Sequence, residues 1–441
     1  MNPSRFRSRL LLLFYGALFS VPLSVNWLSG QWHFGMLMVS EPLMLLTVGV
    51  LGVGLLSVHL PWPNKTQKLD KLIGLHFGAL LLATVFSDAP IVSVKYLATM
   101  VLYVAFAYGV PRVLRLQRGE WMRAVAAIAA GTVVLVAYVL TQQVLQGISY
   151  QLSYTIAQPF LEHAHTNLTV MLEPLVLLLN LALLYHPFMQ RTRVRVLTTA
   201  VLTGVLMVVA FSYSRASYVS LSAQALLLLA NAGWTIGRRI LLPWAVSGLL
   251  VLAAWQAVEG VHPNVSQPSD PQLLHELSSV SDFSPANESN AERKSRWLFS
   301  IDLYQQEPVV GVGPGTFPDR YLDFVRHSPS HPTYYTTLRR MNAHNLYLDW
   351  LVEAGALGFA TGVMLLGYLV WRQLRWAFRW SRTPGRVGFT VYFLFFLLHS
   401  LTQDFWQEPR VMVAFWLAVG LQRFYEKSRV SSASAAAAVA A

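Results

Sequence analysis

Long apolar stretches alternate with short basic segments along nearly the whole chain. Each stretch is about 20 residues long, which is the length that a helix needs to cross a ~30 Å hydrocarbon core. The pattern predicts an all-α polytopic membrane protein with about twelve transmembrane helices. The predicted helices lie near residues 10–28, 36–57, 72–88, 90–110, 122–146, 167–186, 195–213, 215–233, 240–258, 345–370, 387–404 and 409–424.

The first apolar stretch follows the basic segment MNPSRFRSR and so has the outline of a signal peptide. It lacks a cleavage site of small residues, and Trp27 stands where an interfacial anchor belongs. We therefore expect this stretch to be retained as the first transmembrane helix.

The composition agrees with a membrane protein. Of the 441 residues, 54% are hydrophobic and only 12% are charged, whereas a soluble chain carries roughly 25% charged residues. The mean hydropathy is +0.45. The chain contains no cysteine, which excludes disulfides, thiolate catalysis and thiolate metal sites.

The basic residues predict the orientation of the chain. If the N-terminus is cytoplasmic and the helices alternate, most Lys and Arg residues fall in inner loops, as the positive-inside rule requires. Both termini are then cytoplasmic. The net charge of +12 is thus mainly a topology signal with anionic membrane lipids as neighbours. Basic residues scattered over short loops do not indicate nucleic-acid binding.

One long loop interrupts the pattern and divides the chain into four predicted regions. Residues 1–258 hold the first nine helices, and residues 259–342 form a periplasmic loop domain, a partly helical cap. Residues 343–426 hold the last three helices, and the Ala- and Ser-rich residues 427–441 are predicted to be a disordered cytoplasmic tail. Within the loop, Ser289 and Glu292 have the spacing of a capping box for an amphipathic helix that Pro308 ends.

Arg215 lies between two apolar stretches that almost no loop separates, on the predicted outer side. An arginine near membrane depth is costly, so its presence needs a reason. It either snorkels to lipid headgroups or binds an anion, because its fork of donors fits a phosphate. Ser212, Ser214 and Ser217 are positioned in sequence to supplement such a site.

Arg293, Lys294 and Arg296 lie on the predicted loop helix. They form either a solvated basic face balanced by glutamates or a second part of an anion site. The following Gly311–Gly315 segment, GVGPG, could offer backbone N–H groups to an anion, but an ordinary turn is the simpler interpretation.

His344 stands at the start of the tenth predicted helix, on the same side as Arg215. Asn342 is expected to cap that helix, which would leave the imidazole pointing into a cavity. A histidine at such a position is either a structural hydrogen-bonder or a catalytic group. His163 and His165 are weaker candidates, and Pro329 argues against a metal site formed by His327 and His331.

These motifs together resemble the O-antigen ligase and polymerase superfamily of bacterial envelope enzymes. The similar pattern comprises SRAS at Arg215, RKSRW, EPVVGVGPGTF and NAHNLYLDWLVEAGALGF, from about Ser212 to Phe359. The resemblance implies a glycosyltransferase C-like fold and maps the catalytic residues onto Arg215, Arg293 and His344. Because ERKSRW offers two arginines, Arg296 competes with Arg293. Arg215, Arg293, Arg296, Asn345 and Ser214 are the expected substrate-binding residues.

The resemblance implies a metal- and cofactor-independent transferase that acts on an undecaprenyl-pyrophosphate-linked glycan at the periplasmic face of the cell inner membrane. A pyrophosphate donor would explain outward-facing arginines, which would replace the metal ion of many sugar-transfer enzymes.

The chain length, the single large loop and the absence of a C-terminal periplasmic domain resemble a ligase that attaches the glycan to a lipid A-core acceptor. An O-antigen polymerase and a protein O-oligosaccharyltransferase are the alternatives within the superfamily. A polytopic transporter or lipid flippase is the alternative from another class. A transporter should carry ionisable residues in mid-membrane along a path, and only Glu173, with His399 as a marginal second, fits that description.

Overall fold

The computed structural model describes residues 3–29, 34–57, 60, 67–161, 164–261, 288–328, 341–377 and 384–440. Most of these residues are helical, and a two-stranded antiparallel hairpin is the one sheet that they form. The all-α membrane fold predicted from the sequence is confirmed.

The first part of the chain forms seven helices and the hairpin. In order, they are α1 (Pro3–Ser20), a 3₁₀ turn (Val21–Leu23), β1 (Val25–Ser29), β2 (Phe34–Met38), α2 (Ser40–Leu56), α3 (Lys68–Val85), α4 (Pro90–Val104), a π-helical turn (Ala105–Gly109), α5 (Val110–Leu114), α6 (Arg118–Gln146) and α7 (Tyr150–Ser153).

The second part begins with the helices α8 (Ala164–Tyr185), α9 (Thr192–Ala210), α10 (Arg215–Ala232) and α11 (Trp234–Val261), with a 3₁₀ turn (Pro187–Gln190) before α9. Two helices of the long loop follow, α12 (Glu288–Gln306) and α13 (Phe317–Arg326). The last helices are α14 (Leu346–Glu353), α15 (Gly355–Ala377), α16 (Pro384–His399) and α17 (Pro409–Ala440).

Each predicted transmembrane segment coincides with helical structure, but the count of twelve spans is not confirmed. Within the described ranges, six helices are long and apolar enough to cross a membrane. They are Ser4–Leu23, Pro90–Leu114, Arg118–Gln146, His165–Tyr185, Thr192–Ala210 and Gly355–Leu374, and three shorter apolar helices are Ser40–Leu56, Arg239–Ala254 and Gly385–His399.

The tenth predicted helix is broken into α14 and α15. The break falls at Ala354, and Gly355 has a left-handed φ of 63°. A side chain at Gly355 would collide with the backbone carbonyl of Val309, so only glycine permits the loop to approach this closely. The apolar sequence on both sides hides this break.

The three largest hydrophobic clusters of the described residues organise the fold. The largest joins α1, α2, the π-helical turn and α17. It includes Phe14 of α1, Phe106 of the π-helical turn and Trp416 of α17. A second joins α6, α8, α9, α10 and α16. A smaller third cluster packs Phe317 and Tyr321 of α13 against Val352 of α14. The described part of the long loop thus rests on the short helix that follows His344.

Two further elements differ from the sequence prediction. The β1–β2 hairpin, which pairs Val25 with Met38, replaces the predicted end of the first helix at residues 25–28 and the predicted start of the second at residues 36–38. Helix α17 continues through the segment predicted to be a disordered tail and ends at Ala440. Alanine has the highest helix propensity, which accounts for the continuation.

Candidate functional site

Arg215 is the first residue of α10, where the chain reverses from α9. The reversal uses a left-handed residue, Tyr213, with φ of 55°. Arg215 is half-buried at this turn. Arg215 therefore lies where α9 ends and α10 begins, and not in the middle of either helix.

The serines around Arg215 join α10 to α8. Ser214 Oγ donates to Ser217 Oγ at 3.1 Å, and Ser217 Oγ donates to Thr169 Oγ1 of α8 at 2.6 Å. Ser212 Oγ donates to the carbonyl of Val209 at 2.6 Å. Each hydroxyl hydrogen is therefore used inside the protein. This arrangement favours an anchoring role for Ser214 over the substrate contact predicted from the sequence.

Arg293 of α12 lies beside Arg215. Burial lowers the pKa of the Arg293 guanidinium from its ordinary value, and the positive charge of Arg215 lowers it further. Glu292 and the hydroxyls of Tyr154 and Tyr150 act in the opposite direction. The loop helix thus brings a second cation to the turn that carries Arg215, although 77 residues of sequence lie between them.

Arg296 has a different environment from Arg293, one helical turn away. It is only 1% exposed, and its Nη1 donates to the carbonyl of Asn342 at 3.1 Å. Its Nη2 forms an ion pair with Glu292 at 3.4 Å. Trp297 Nε1 donates to the next carbonyl, Ala343, at 3.0 Å. We call Arg296 and Trp297 the α12 clamp, because together they hold the two residues that precede His344.

The backbone at His344 is left-handed, with φ of 51°, which is uncommon for a residue other than glycine. Its N–H donates to Oδ1 of Asn342 at 3.1 Å. The helix cap was predicted to be Asn342, and that prediction is wrong. Asn345 is the N-cap of α14, and its Oδ1 accepts from the N–H groups of Tyr347 and Leu348. Asn345 was predicted to bind substrate, but its side-chain oxygen has this structural use.

Two further bonds fix the segment around His344. The N–H of Ala343 donates to Oδ1 of Asp349 at 3.0 Å, and the N–H of Leu346 donates to the carbonyl of Ser400 at 3.0 Å. The segment is therefore held by α12, by its own helix and by the turn after α16. Such support restricts the positions that the imidazole can take.

The charge state of His344 follows from its surroundings. Burial lowers the pKa of the imidazole well below its ordinary value, and the positive charges of Arg296 and then Arg293 add to the effect, while a hydrogen bond with Gln403 opposes it. Within the described part of the chain, Nδ1 is buried and has no protein hydrogen-bond partner. The ring is therefore neutral at neutral pH.

The comparisons with known proteins can be set beside this geometry. Residues 198–363 match a family model described as O-antigen ligase. This segment is similar to the O-antigen ligase family. The match runs from α9 into α15 and includes Arg215, Arg293 and His344, so the superfamily resemblance of the motifs is confirmed. It covers less than half of the chain. No curated protein matches the chain. The family indicates an enzyme of the O-antigen ligase or polymerase type, with glycosyltransferase-like activity.

The glycine-rich turn of the matched segment is an internal structural feature. The N–H groups of Gly315 and Phe317 donate to the carboxylate of Glu353 at 2.8 and 3.1 Å. The N–H of Gly313 donates to the carbonyl of Glu353 at 3.0 Å. The acceptors of these N–H groups are thus oxygens of Glu353, and the simpler interpretation of GVGPG as a turn agrees with the structure.

Several residues beside the arginines were not identified from the sequence. Tyr150 of α7 and Tyr154, the residue that follows α7, lie near Arg293. His165, named above as a weaker candidate, stacks on Tyr154 with ring centroids 4.7 Å apart. Gln403, which contacts His344, lies in the polar segment SLTQDFWQEPR between the last two apolar stretches. That segment, with five charged or amide side chains at a helix connection, was the available signal.

The described residues contain no group of three or more His, Cys, Asp or Glu side chains that is arranged to hold a metal ion. His327 is exposed and contacts Asp323 of its own helix. His163 and His331 lie outside the described residues.

Proposed function

We propose that the chain is an O-antigen ligase that transfers a glycan from undecaprenyl pyrophosphate to a sugar hydroxyl of lipid A-core at the periplasmic face of the inner membrane. One observation carries the proposal. Arg215 and Arg293 come from different parts of an apolar helical bundle and interact electrostatically with each other, and Arg293 also acts on His344. A dense positive charge at one end of a membrane protein suits a lipid-linked anion.

The arginines would act on the leaving group. Transfer breaks the bond between the anomeric carbon and the pyrophosphate oxygen, so negative charge grows on the pyrophosphate. Guanidinium groups fixed in advance can stabilise such charge by about 3–4 kcal/mol each, judging from the removal of single donors at comparable sites. A bound pyrophosphate would also relieve the repulsion between Arg215 and Arg293. This arrangement would take the part of a metal ion.

His344 would act on the acceptor. The acceptor hydroxyl forms the new bond to the anomeric carbon, and its proton passes to the neutral imidazole. Burial and the nearby arginines keep the ring neutral, as a base requires. Arg296, in contrast, is assigned to the α12 clamp, since its bonds go to Asn342 and Glu292. The second donor-binding arginine is therefore Arg293.

The donor assignment can be tested by substitution. Arg215→Ala and Arg293→Ala should each abolish transfer by purified protein while membrane insertion is normal. Lysine should restore little activity, because it lacks the planar fork. Arg326→Ala is the control, since Arg326 is an exposed arginine of the same loop. Full activity of Arg215→Ala or Arg293→Ala would contradict the role in donor binding.

The ligase activity itself can be tested by the lipopolysaccharide banding pattern of a deletion strain. Loss of all glycan-capped chains, with accumulated lipid-linked polymer, is the expected result. A cap of a single repeat would indicate the polymerase instead. Normal lipopolysaccharide with unglycosylated envelope proteins would indicate a protein O-oligosaccharyltransferase.

A further inference from the structure

A small cavity lies inside the helical bundle, away from Arg293 and the loop. Its volume is about 30 Å³, and α8, α10, α16 and the start of α17 enclose it. Most of its lining is apolar, but five polar side chains reach it. They are Glu173, Gln224, Tyr392, His399 and Arg410. We call these five residues the cavity polar group.

Four of the five members have a buried polar atom without a protein partner in the described ranges. These atoms are Gln224 Oε1, Tyr392 Oη, Arg410 Nε and His399 Nε2. Glu173 Oε1 and His399 Nδ1 form no hydrogen bond either, but they lie 3.3 Å from each other. Four of the five residues are less than 8% exposed. Buried polar atoms in proteins are nearly always satisfied by protein or by ordered water, so this concentration around one cavity indicates a ligand.

The chemistry of the lining identifies that ligand. Arg410 Nε–H can only donate, and the Gln224 oxygen can only accept. Tyr392 and the His399 ring can do either. The ionisable members have ionisable neighbours, because Glu173 lies 3.3 Å from His399 and Arg410 lies 2.9 Å from Glu408. A neutral molecule that both donates and accepts satisfies this set, and the volume holds about two waters.

The cavity polar group also connects the elements that support the candidate site. Ser220 and Gln224 of α10 donate to Glu173 of α8 at 3.0 and 3.4 Å. One turn nearer to Arg215, Ser217 donates to Thr169 of α8. His399 ends α16, and the next residue, Ser400, accepts the N–H of Leu346 beside His344. Polar contacts thus link the elements that line the cavity to the segments that carry Arg215 and His344.

We propose that the cavity is a binding site for ordered water, and that this water joins α8, α10, α16 and α17 beneath the candidate site. Glu173 and His399 are then positioning residues, since they hold the helix ends that carry Arg215 and the His344 segment. The effect on transfer rests on the proposed function, whereas the water itself does not.

The direct test is a density map of the full chain in lipid nanodiscs at a resolution that shows water. The expected result is at least one density peak within hydrogen-bond distance of two or more members of the cavity polar group. A cavity without such a peak, or one in which the five side chains bond directly to each other, would overturn the proposal.

Two substitutions at one position provide the second test. Glu173→Gln retains hydrogen bonds to water, whereas Glu173→Leu has a similar volume and retains none. We expect Glu173→Gln to keep the Tm of the wild type, and Glu173→Leu to lower it by several degrees. Equal Tm values for all three proteins, or an equal fall in both variants, would contradict a role for water.

The control is Asn180→Leu on the same helix, because Asn180 is buried but bonds to a protein group, Trp244 Nε1, at 3.0 Å. It should lower the Tm without removing the water peak. In glycan transfer, Glu173→Leu should lower kcat more than it changes KM for the donor, and Glu173→Gln should restore kcat. If no variant or wild type transfers glycan, the proposed function fails, while the density and Tm results still decide the water site.

Discussion

His344, the proposed base, has a left-handed backbone and a pKa well below the ordinary value for histidine. The neutral ring is present above its pKa and is lost as the pH falls through that value. In the free protein this fall lies below the ordinary histidine pKa of about 6.5. We therefore expect kcat/KM to reach its plateau before the pH rises to about 6.5.

Donor binding should shift the acidic limb of the pH–rate profile to higher pH. The pyrophosphate would neutralise the arginines that disfavour the imidazolium, so the pKa of His344 should rise in the complex. The limb of kcat should lie at higher pH than the limb of kcat/KM, because the two report the complex and the free protein. His344→Gln should lose both limbs and about 10²–10⁴-fold of the rate. A His344→Gln variant that transfers glycan at the wild-type rate would exclude the base.

The role of the α12 clamp can be tested by removing one of its hydrogen bonds, the one that Trp297 donates. Trp297→Phe keeps an aromatic ring but removes the Nε1–H that donates to Ala343. A neutral hydrogen bond contributes about 1 kcal/mol, so kcat should fall several-fold through misplacement of His344, while KM for the donor stays the same. Trp371→Phe, at a tryptophan that is 60% exposed, is the control. An equal effect of both substitutions would argue against the clamp.

The break between α14 and α15 decides how the loop attaches to the bundle. Gly355→Ala would place a side chain against the carbonyl of Val309 and force a left-handed alanine, at a cost of at least about 1–2 kcal/mol. We expect a lower Tm and a loss of transfer, since the glycine-rich turn could no longer reach Glu353.

A glycine on the same helix provides the comparison. Gly367 has open space around its Cβ position, so Gly367→Ala should stabilise α15 by about 0.5–1 kcal/mol. Measured Tm values for the two variants should move in opposite directions. A Gly355→Ala protein as stable as Gly367→Ala would show that the close approach of Val309 is not needed.

The sequence predicts the helices well because a lipid environment leaves the backbone few other ways to satisfy its hydrogen bonds. It does not predict the break at Gly355, since apolar residues lie on both sides. Nor does it separate Asn342 from Asn345, because both can cap a helix. The inward direction of Arg296 depends on a carbonyl 46 residues away, which no local pattern contains. Position and side-chain chemistry were enough to single out the candidate arginines and His344, and the resemblance to a known superfamily then implied their catalytic roles.

At the scale of the whole molecule, the charge distribution predicts the topology. Reporter fusions at Lys65, Arg118 and Arg375 should give cytoplasmic signals, and a fusion at Val280 should give a periplasmic one, by the positive-inside rule. A cytoplasmic signal at Val280 would place Arg293 and the α12 clamp on the wrong side of the membrane for a periplasmic donor, and the proposed function would fail with it.

Arg410 has a consequence for the synthesis of the protein. Its Nη2 donates to the carbonyl of Ser24, at 2.7 Å, and to that of Phe160. The two partners of the first bond are 386 residues apart. Translation proceeds at about 5–20 residues per second, so Ser24 is synthesised about 20–80 s before Arg410. A nascent chain halted before α17 would therefore lack the hydrogen bond between Arg410 and Ser24. The contact between the first and last helical regions can form only after α17 has been synthesised.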